Sequence, residues 1–233
     1  CNNTFVGGGE GVTASAAYAS AVGGASNVAC GTFSFLGGGY LNQSTGTRAF
    51  VGSGQYNCAT GGYSSIVGGL SNVASGSHSI IGGGCSNTAS AHCSVVVGGR
   101  LNSASGGYAF VGSGIGMSAQ GTWSGIASGY YNTVSNYSSF IGGGEGGTAS
   151  GNRAFIGGGQ SNTASGNHSI VVGGTSNTAS GCRAFVGGGC LNTASGLLSF
   201  IGGGRNNLSC GESNTIGGGQ GNCARDRKST RLN

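Results

Sequence analysis

The fold is decided by a fifteen-residue block that reads FVGGGCLNTASGLLS at residues 185–199. The same pattern recurs without a break every fifteen residues from Phe5, which gives fourteen complete blocks and a fifteenth that begins at Thr215. We number the positions of the block from one to fifteen, so that Phe185 occupies position one and Gly189 position five. A fixed period this short indicates that each block is one structural unit that stacks on the next.

Each block has the features of one coil of a parallel β-solenoid. Position two is Val, Ile or Leu in fourteen of the fifteen blocks, and position five is Gly in all of them. β-Branched residues suit short strands and Gly suits the bends, whereas helical repeats need more chain per unit. We therefore predict an all-β parallel β-solenoid (β-roll) of about fourteen coils, with residues 1–225 as a single repeat array.

Composition argues against the other fold classes. Gly makes up 56 of the 233 residues and Pro is absent. Each Gly in a helix interior costs about 1 kcal/mol relative to Ala, and the Gly spacing lacks the strict period of three that collagen requires. Disorder is disfavoured because only 6% of the residues are charged and apolar residues recur at fixed places. No apolar run approaches the ~20 residues of a membrane-spanning helix.

The alternation of side chains along a strand assigns the interior of each coil. We predict that position two fills a thin core opposite the small residue at position ten, which is Ala in twelve blocks. The predicted core residues are Val6, Leu36, Val51, Ile66, Ile81, Val96, Val111, Ile126, Ile141, Ile156, Val171, Val186 and Ile201.

Two polar or flexible positions are predicted to shape the corners of the coil. Gly at position five is expected to hold a positive φ where a Cβ would clash, at Gly9, Gly24, Gly39, Gly54, Gly69, Gly84, Gly99, Gly114, Gly129, Gly144, Gly159, Gly174, Gly189, Gly204 and Gly219. Asn at position eight is expected to stack into a ladder whose amides bond along the solenoid axis, at Asn27, Asn42, Asn57, Asn72, Asn87, Asn102, Asn132, Asn162, Asn177, Asn192, Asn207 and Asn222.

Position one is predicted to point outward, because position two points inward. Position one also carries Val95 and Ile170, and we call the eight Phe together with Ile80 the Phe stripe: Phe5, Phe35, Phe50, Ile80, Phe110, Phe140, Phe155, Phe185 and Phe200. If each Phe ring exposed ~150 Å², the eight rings would present about 1,200 Å² of apolar surface, whereas monomers seldom expose a patch above ~600 Å². We therefore predict that the Phe stripe is an oligomer interface and that another copy of the chain covers it.

The stretch NTASGLLSFIGGG at residues 192–204 carries a resemblance to a known repeat. It resembles the head repeats of YadA-like trimeric autotransporter adhesins and the related segments of phage-type tail fibres, and the likeness covers about 220 residues. The resemblance implies a left-handed β-roll that assembles as a parallel homotrimer and binds a host-surface or matrix ligand. It implies an extracellular or cell-surface location, anchored in the outer membrane for an autotransporter or on a virion or phage-like particle for a tail fibre.

Two other functions remain open at this stage. Five consecutive blocks carry Thr at position nine and Ser at position eleven, and this Thr-x-Ser face resembles the surface of ice-binding β-solenoids: Thr133/Ser135, Thr148/Ser150, Thr163/Ser165, Thr178/Ser180 and Thr193/Ser195. The chain is alternatively a purely structural spacer of a tail fibre. His78 and His168 occupy position fourteen, and in neighbouring blocks the same position carries Arg48, Tyr63, Arg153 and Arg183. Basic and aromatic side chains aligned in this way indicate either an attachment surface or lateral packing.

The reactive residues give no pattern typical of catalysis or metal binding. The nine Cys are scattered over the positions and never recur at one position in adjacent blocks, which argues against a ladder of disulfides. The strongest cluster within one block is Cys85, His92 and Cys93, but a metal ion needs three or four converging ligands. Residues 1–225 contain three His, three Glu and no Asp. We therefore predict no catalytic residue, no metal, no cofactor and no enzymatic activity.

The last eight residues differ in composition from everything before them. Residues 226–233 hold the only Lys and the only Asp of the chain. They resemble the translation of a common sequencing adapter, so we interpret them as a non-native tail from read-through and the array as a fragment truncated at both ends. The six Arg and three Glu of residues 1–225 give no basic patch that would favour nucleic acid as a partner.

Overall fold

The computed structural model describes residues 3–225 and the backbone of residues 230–231. The chain is an all-β parallel β-solenoid of about fifteen coils, which confirms the predicted fold class. The coil count rises from fourteen to fifteen because the block that begins at Thr215 also forms its strands. The chain divides into two compact units, Cys1–Gly116 and Met117–Asn233.

Each coil of the first unit contributes one strand to each of two parallel sheets. The first sheet contains β1 (Phe5–Val6), β3 (Ser20–Ala21), β5 (Phe35–Leu36), β7 (Phe50–Val51), β9 (Ser65–Ile66), β11 (Ile80–Ile81), β13 (Val95–Val96) and β15 (Phe110–Val111). The second sheet contains β2 (Thr13–Ala14), β4 (Val28–Ala29), β6 (Gln43–Ser44), β8 (Cys58–Ala59), β10 (Val73–Ala74), β12 (Thr88–Ala89) and β14 (Ser103–Ala104).

The second unit repeats this arrangement. Its first sheet contains β17 (Gly125–Ile126), β19 (Phe140–Ile141), β21 (Phe155–Ile156), β23 (Ile170–Val171), β25 (Phe185–Val186), β27 (Phe200–Ile201), β29 (Thr215–Ile216) and β31 (Thr230–Arg231). Its second sheet contains β16 (Ser118–Ala119), β18 (Thr133–Val134), β20 (Thr148–Ala149), β22 (Thr163–Ala164), β24 (Thr178–Ala179), β26 (Thr193–Ala194), β28 (Leu208–Ser209) and β30 (Cys223–Ala224).

One strand lies in the segment that the sequence analysis set apart. The backbone of β31 pairs with β29, so that Thr230 lies beside Thr215. The remainder of the predicted tail, residues 226–229 and 232–233, lies outside the described residues. The assignment of residues 226–233 as a translated adapter stays a prediction.

The pairing register equals the sequence period throughout each unit. Phe35 pairs with Phe50 in the first unit, and Thr163 pairs with Thr178 in the second. A third line of contact runs along position six, where single bridges join consecutive coils of each unit, as between Glu10 and Ala25. Each position of the block therefore forms a straight row of side chains spaced by one strand separation, ~4.8 Å.

The core lies where the sequence pattern places it, with one exception. Leu36, Ile81, Ile156 and the other predicted core residues from coil three onward have no more than 1% of their surface exposed. Small residues at positions ten and fifteen complete the interior, as with Ala164 and Ala154. The prediction was wrong for Val6, which is 48% exposed and has the small Ala21 as its partner in the next coil.

The Gly at position five adopts a positive φ in every coil, from 86° at Gly189 to 143° at Gly114. The next coil also approaches closely at this corner: a Cβ on Gly174 would lie 2.1 Å from the carbonyl oxygen of Gly189. Both the backbone conformation and the distance require Gly here. The tight corner is what lets consecutive coils stack at strand spacing.

The Asn at position eight stabilises that corner through the backbone. The amide nitrogen of Asn177 donates to the carbonyl oxygen of Gly173 in its own coil and to that of Gly189 in the next, both at 2.9 Å. Its oxygen accepts a hydrogen bond from the backbone N–H of Asn192 at 3.0 Å. The amides therefore bond along the solenoid axis as expected, mostly through the backbone of the next coil and at some steps directly, as between the amide nitrogen of Asn192 and the amide oxygen of Asn177 at 3.2 Å.

Adjacent glycines of one corner provide a test of this packing. We expect Gly174→Ala to lower the free energy of unfolding by more than about 2 kcal/mol, because the added Cβ meets a backbone carbonyl at a φ of 87°. Gly173→Ala is the matched control, since the nearest atom to its Cβ is the carbonyl oxygen of Gly158 at 4.0 Å. Chemical denaturation of both variants measures the difference, and equal losses of stability would contradict the corner packing.

Candidate functional site

The outward rows are the candidate functional surfaces of this chain, since the described residues form no pocket. Three such surfaces run along the coils: position one with position three on the first sheet, position fourteen at the turn that precedes that sheet, and positions nine and eleven on the second sheet. Each is defined by the register of the coils rather than by a local loop.

The residues of the Phe stripe lie on the outer face of the first sheet. Phe35, Phe50, Phe140, Phe155 and Phe200 are each 38% exposed. Phe5 and Ile80 are more exposed, Phe110 is similar to the five, and Phe185 is half-buried. Where two blocks with Phe are adjacent, the rings stack, with centroids 5.0 Å apart for Phe185 and Phe200.

Each of these rings lies over the Gly two residues further along the strand. The Cε1 atom of Phe155 is 3.6 Å from where a Cβ on Gly157 would stand, and the corresponding distance for Phe185 and Gly187 is 3.4 Å. A ring in this position covers the bare backbone of the strand. The rings therefore lie against the sheet and expose less surface than rings that project into solvent.

Position three is a part of this surface that the sequence analysis missed. All eight Phe at position one are followed two residues later by Gly, while four blocks without Phe have Val there instead. These valines are Val22, Val67, Val97 and Val172, and all four are exposed. The sequence already shows that Phe at position one always goes with Gly at position three. That correlation would have identified position three as part of the same surface.

Each Phe ring of the stripe exposes less apolar area than expected, but the exposed valines of position three add to the apolar surface. A Phe that is 38% exposed presents about 75 Å², half of the ~150 Å² assumed from the sequence. Together with the exposed valines and Ile80, the stripe of the first unit presents on the order of 600 Å². That area is at the upper limit for a patch on a monomeric protein.

Position fourteen of the first unit is a row of stacked rings and one guanidinium. Tyr18 stacks on Phe33 with centroids 4.7 Å apart, and Arg48 lies between the rings of Phe33 and Tyr63, at 5.3 and 5.2 Å from their centroids. Arg48 also donates a hydrogen bond to the hydroxyl of Tyr63. Residues at this position have φ between 50° and 60°, so their side chains leave the turn in the same direction.

The same row is more basic in the second unit. Arg153, His168 and Arg183 occupy three consecutive coils and are exposed. The guanidinium of Arg153 lies 5.9 Å from the ring centroid of Tyr137, which is at position thirteen of the preceding coil. The row predicted from the sequence is therefore present in both units, with aromatic stacking in the first and cationic side chains in the second.

The Thr-x-Ser face lies on the second sheet of the second unit. Thr133, Thr148, Thr163, Thr178 and Thr193 pair in register, each with the next. These threonines are half-buried, whereas the serines at position eleven are exposed apart from Ser150, which is half-buried. The five coils present a regular row of hydroxyl groups at strand spacing.

The structure groups the metal-ligating residues differently from the sequence. His92 and Cys93 lie together with His78 of the preceding coil, and one ligand atom from each lies within 4.8 Å of the others. The expected third member, Cys85, is not part of the group.

The eight Cys of the described residues are free thiols. Burial raises the pKa of the Cys58 thiol, which disfavours its reactive thiolate form.

Comparison with known proteins identifies no family for this chain: no protein-family model matches it, and no curated protein matches it. In residues 3–225 no helix is long and apolar enough to cross a membrane.

The packing of ring over Gly makes a prediction for the outer face. Gly157→Val should lower stability mainly because its Cβ would lie 2.3 Å from the backbone carbonyl oxygen of Val172 in the next coil. The Cε1 atom of Phe155 is the nearest side-chain atom, at 3.6 Å, so the larger Val side chain should also displace the ring. Adding Phe155→Ser, which recreates the Ser-then-Val order found at Ser65 and Val67, should recover part of the loss. A double-mutant cycle from chemical denaturation measures the coupling, which we expect to be about 0.5–3 kcal/mol. Additive losses would show that the ring does not depend on Gly157.

Proposed function

We propose that this chain is one protomer of a homotrimeric surface fibre, similar to an adhesin head, and that it acts as a rigid rod for multivalent attachment. The observation that carries the proposal is the exposed Phe stripe together with the valines of position three. An apolar row of this size favours burial against another protein surface. A second copy of the chain presents the same row at the same spacing, so two copies offer matching surfaces.

The area of the stripe is sufficient for such an association. Two stripes of on the order of 600 Å² each would bury about 1,200 Å² in total, which is the lower end of the range for specific protein interfaces. The stripe continues along the coils without charged side chains at position one. It therefore has the apolar centre that the most buried part of an interface needs.

The resemblance to YadA-like head repeats supports the number of copies and the location. We propose a parallel trimer of left-handed coils, displayed outside the cell or on a virion. Position fourteen supplies the groups for contact with a host-surface or matrix ligand, since Tyr and Arg side chains are enriched where proteins bind other molecules. Three parallel copies would present each row three times, and multivalent binding of that kind raises avidity by about 10²–10⁴.

The assembly and the attachment are tested with one pair of variants. In the double variant Phe155→Asp/Phe185→Asp, two charges interrupt the Phe stripe, and we expect monomer or aggregate in place of a trimer by size-exclusion chromatography with light scattering. Beads coated with this variant should be retained on an extracellular-matrix preparation at least ~100-fold less than beads coated with the unmodified chain.

The control variant Thr163→Asp/Thr178→Asp places the same charges on the second sheet. It should remain trimeric. Trimer formation by the Phe155/Phe185 variant would contradict the proposed interface. A trimer of the unmodified chain that adheres no better than albumin-coated beads would instead support a structural spacer and would contradict the attachment function.

A second candidate function rests on the Thr-x-Ser face. The in-register threonines from Thr133 to Thr193 form a regular hydroxyl row on consecutive strands, as expected of an ice-binding surface. We expect that an ice-binding chain would show thermal hysteresis at millimolar concentration, and that Thr163→Tyr would abolish it because the ring interrupts the row. Absence of hysteresis in the unmodified chain would exclude this candidate.

A further inference from the structure

Side chains of two adjacent coils converge on the outer surface of the first unit. His78 is at position fourteen of the coil 65–79, and His92 and Cys93 are at positions thirteen and fourteen of the coil 80–94. The backbone N–H of Cys93 donates to the carbonyl oxygen of Ser77 at 2.9 Å, which fixes Cys93 directly beside His78. The convergence follows from the register and therefore does not depend on a flexible loop.

The donor atoms of this cluster already stand at distances close to those of a metal site. The Nε2 atom of His92 and the Sγ atom of Cys93 lie 3.3 Å apart, and all three ligand atoms fall within 4.8 Å of one another. Two ligands on a tetrahedral Zn²⁺ are roughly 3.5 Å apart, given Zn–N and Zn–S distances of about 2.0 and 2.3 Å. Closure of the site requires a shift of about 1 Å, and the two exposed His rings have room for it.

Neighbouring side chains hold the two imidazoles in place. The ring of His78 stacks on Tyr63 with centroids 4.7 Å apart, and the ring of His92 meets Tyr108 edge to face at 5.4 Å. The hydroxyl of Ser77 lies 2.9 Å from Nδ1 of His78. When Nδ1 donates its proton to that hydroxyl, Nε2 retains a lone pair for a metal ion, in the way that outer partners orient metal-binding His residues.

We propose that His78, His92 and Cys93 form a binding site for Zn²⁺ or a similar late transition-metal ion. Two imidazole nitrogens and one thiolate suit a borderline-soft cation, whereas Mg²⁺ and Ca²⁺ require oxygen ligands. Three protein ligands leave a fourth, exposed position for water or for a donor atom of another molecule. The site would tie two consecutive coils together at the surface and is independent of the proposed attachment function.

The site is tested on the full chain with Co²⁺ as a spectroscopic substitute for Zn²⁺, under reducing conditions that keep the thiols free. We expect one Co²⁺ per chain, a thiolate-to-cobalt charge-transfer band in the near ultraviolet, and displacement of the Co²⁺ by Zn²⁺. Cys93→Ser should abolish the band. His78→Ala and His92→Ala should each weaken Co²⁺ binding at least ~10-fold, as the loss of one ligand from a three-ligand site.

Matched controls separate this site from binding elsewhere on the chain. Cys85→Ser removes the other thiol of the same coil, and His168→Ala removes the other position-fourteen His, so both variants should bind Co²⁺ as the unmodified chain does. Circular dichroism checks that each variant keeps its β-structure. A charge-transfer band that survives Cys93→Ser, a band lost in Cys85→Ser, or no Co²⁺ and Zn²⁺ binding below ~1 mM would overturn the proposal.

Discussion

The structure depends on one contact that recurs in every coil, the close approach of consecutive corners at position five. A Cβ at that position would lie 2.1 Å from the next corner's carbonyl oxygen in the case of Gly174, so only Gly allows the coils to meet at strand spacing. The buried Asn177 amide donates to the carbonyl oxygens of Gly173 and Gly189 at this corner, and the Gly189 oxygen also accepts from the backbone N–H of Thr175 in the same coil as Asn177. Each such hydrogen bond contributes about 0.5–1.5 kcal/mol, so the Asn stabilises the close approach that the Gly permits.

This constraint leaves the outward positions free to vary. The corner and the thin core fix the register, and each outward position then becomes a row of side chains at constant spacing. The content of a row changes from coil to coil while the register stays the same: position one includes Phe, Ser and Ile, and position fourteen includes aromatic, basic and thiol side chains. Candidate binding surfaces in such a molecule therefore form from side chains of several coils. Neighbouring side chains in one row create arrangements that a single coil lacks, as with the stacked rings of Phe185 and Phe200 or the cluster at His78 and Cys93.

The sequence was sufficient for the fold because the period, the Gly at position five and the alternation at positions one and two are local signals. It was insufficient where the answer depended on how neighbouring coils meet. The third line of pairing at position six has no single residue type to reveal it, since Glu10, Ala25 and Tyr40 all take part through their backbones. The Asn amides bond along the axis as expected, but their main partners are backbone groups, namely the corner carbonyls and the N–H of the next Asn, which only the stacking of the coils reveals. Cys85 was grouped with His92 by proximity in sequence, while the register brings His78 from the coil before.

The central claim, that a register of fifteen residues sets the whole structure, is tested most directly by deletions that differ in length. Removal of the fifteen residues 158–172 takes out one whole period and joins position three to position four, so the register is kept. Removal of the ten residues 158–167 joins position three to position fourteen, so the register is broken. The account predicts that the longer deletion keeps a cooperative thermal transition within a few degrees of the unmodified chain, and that the shorter one loses it. Equal transitions for the two deletions, or a more damaging effect of the longer one, would contradict the account.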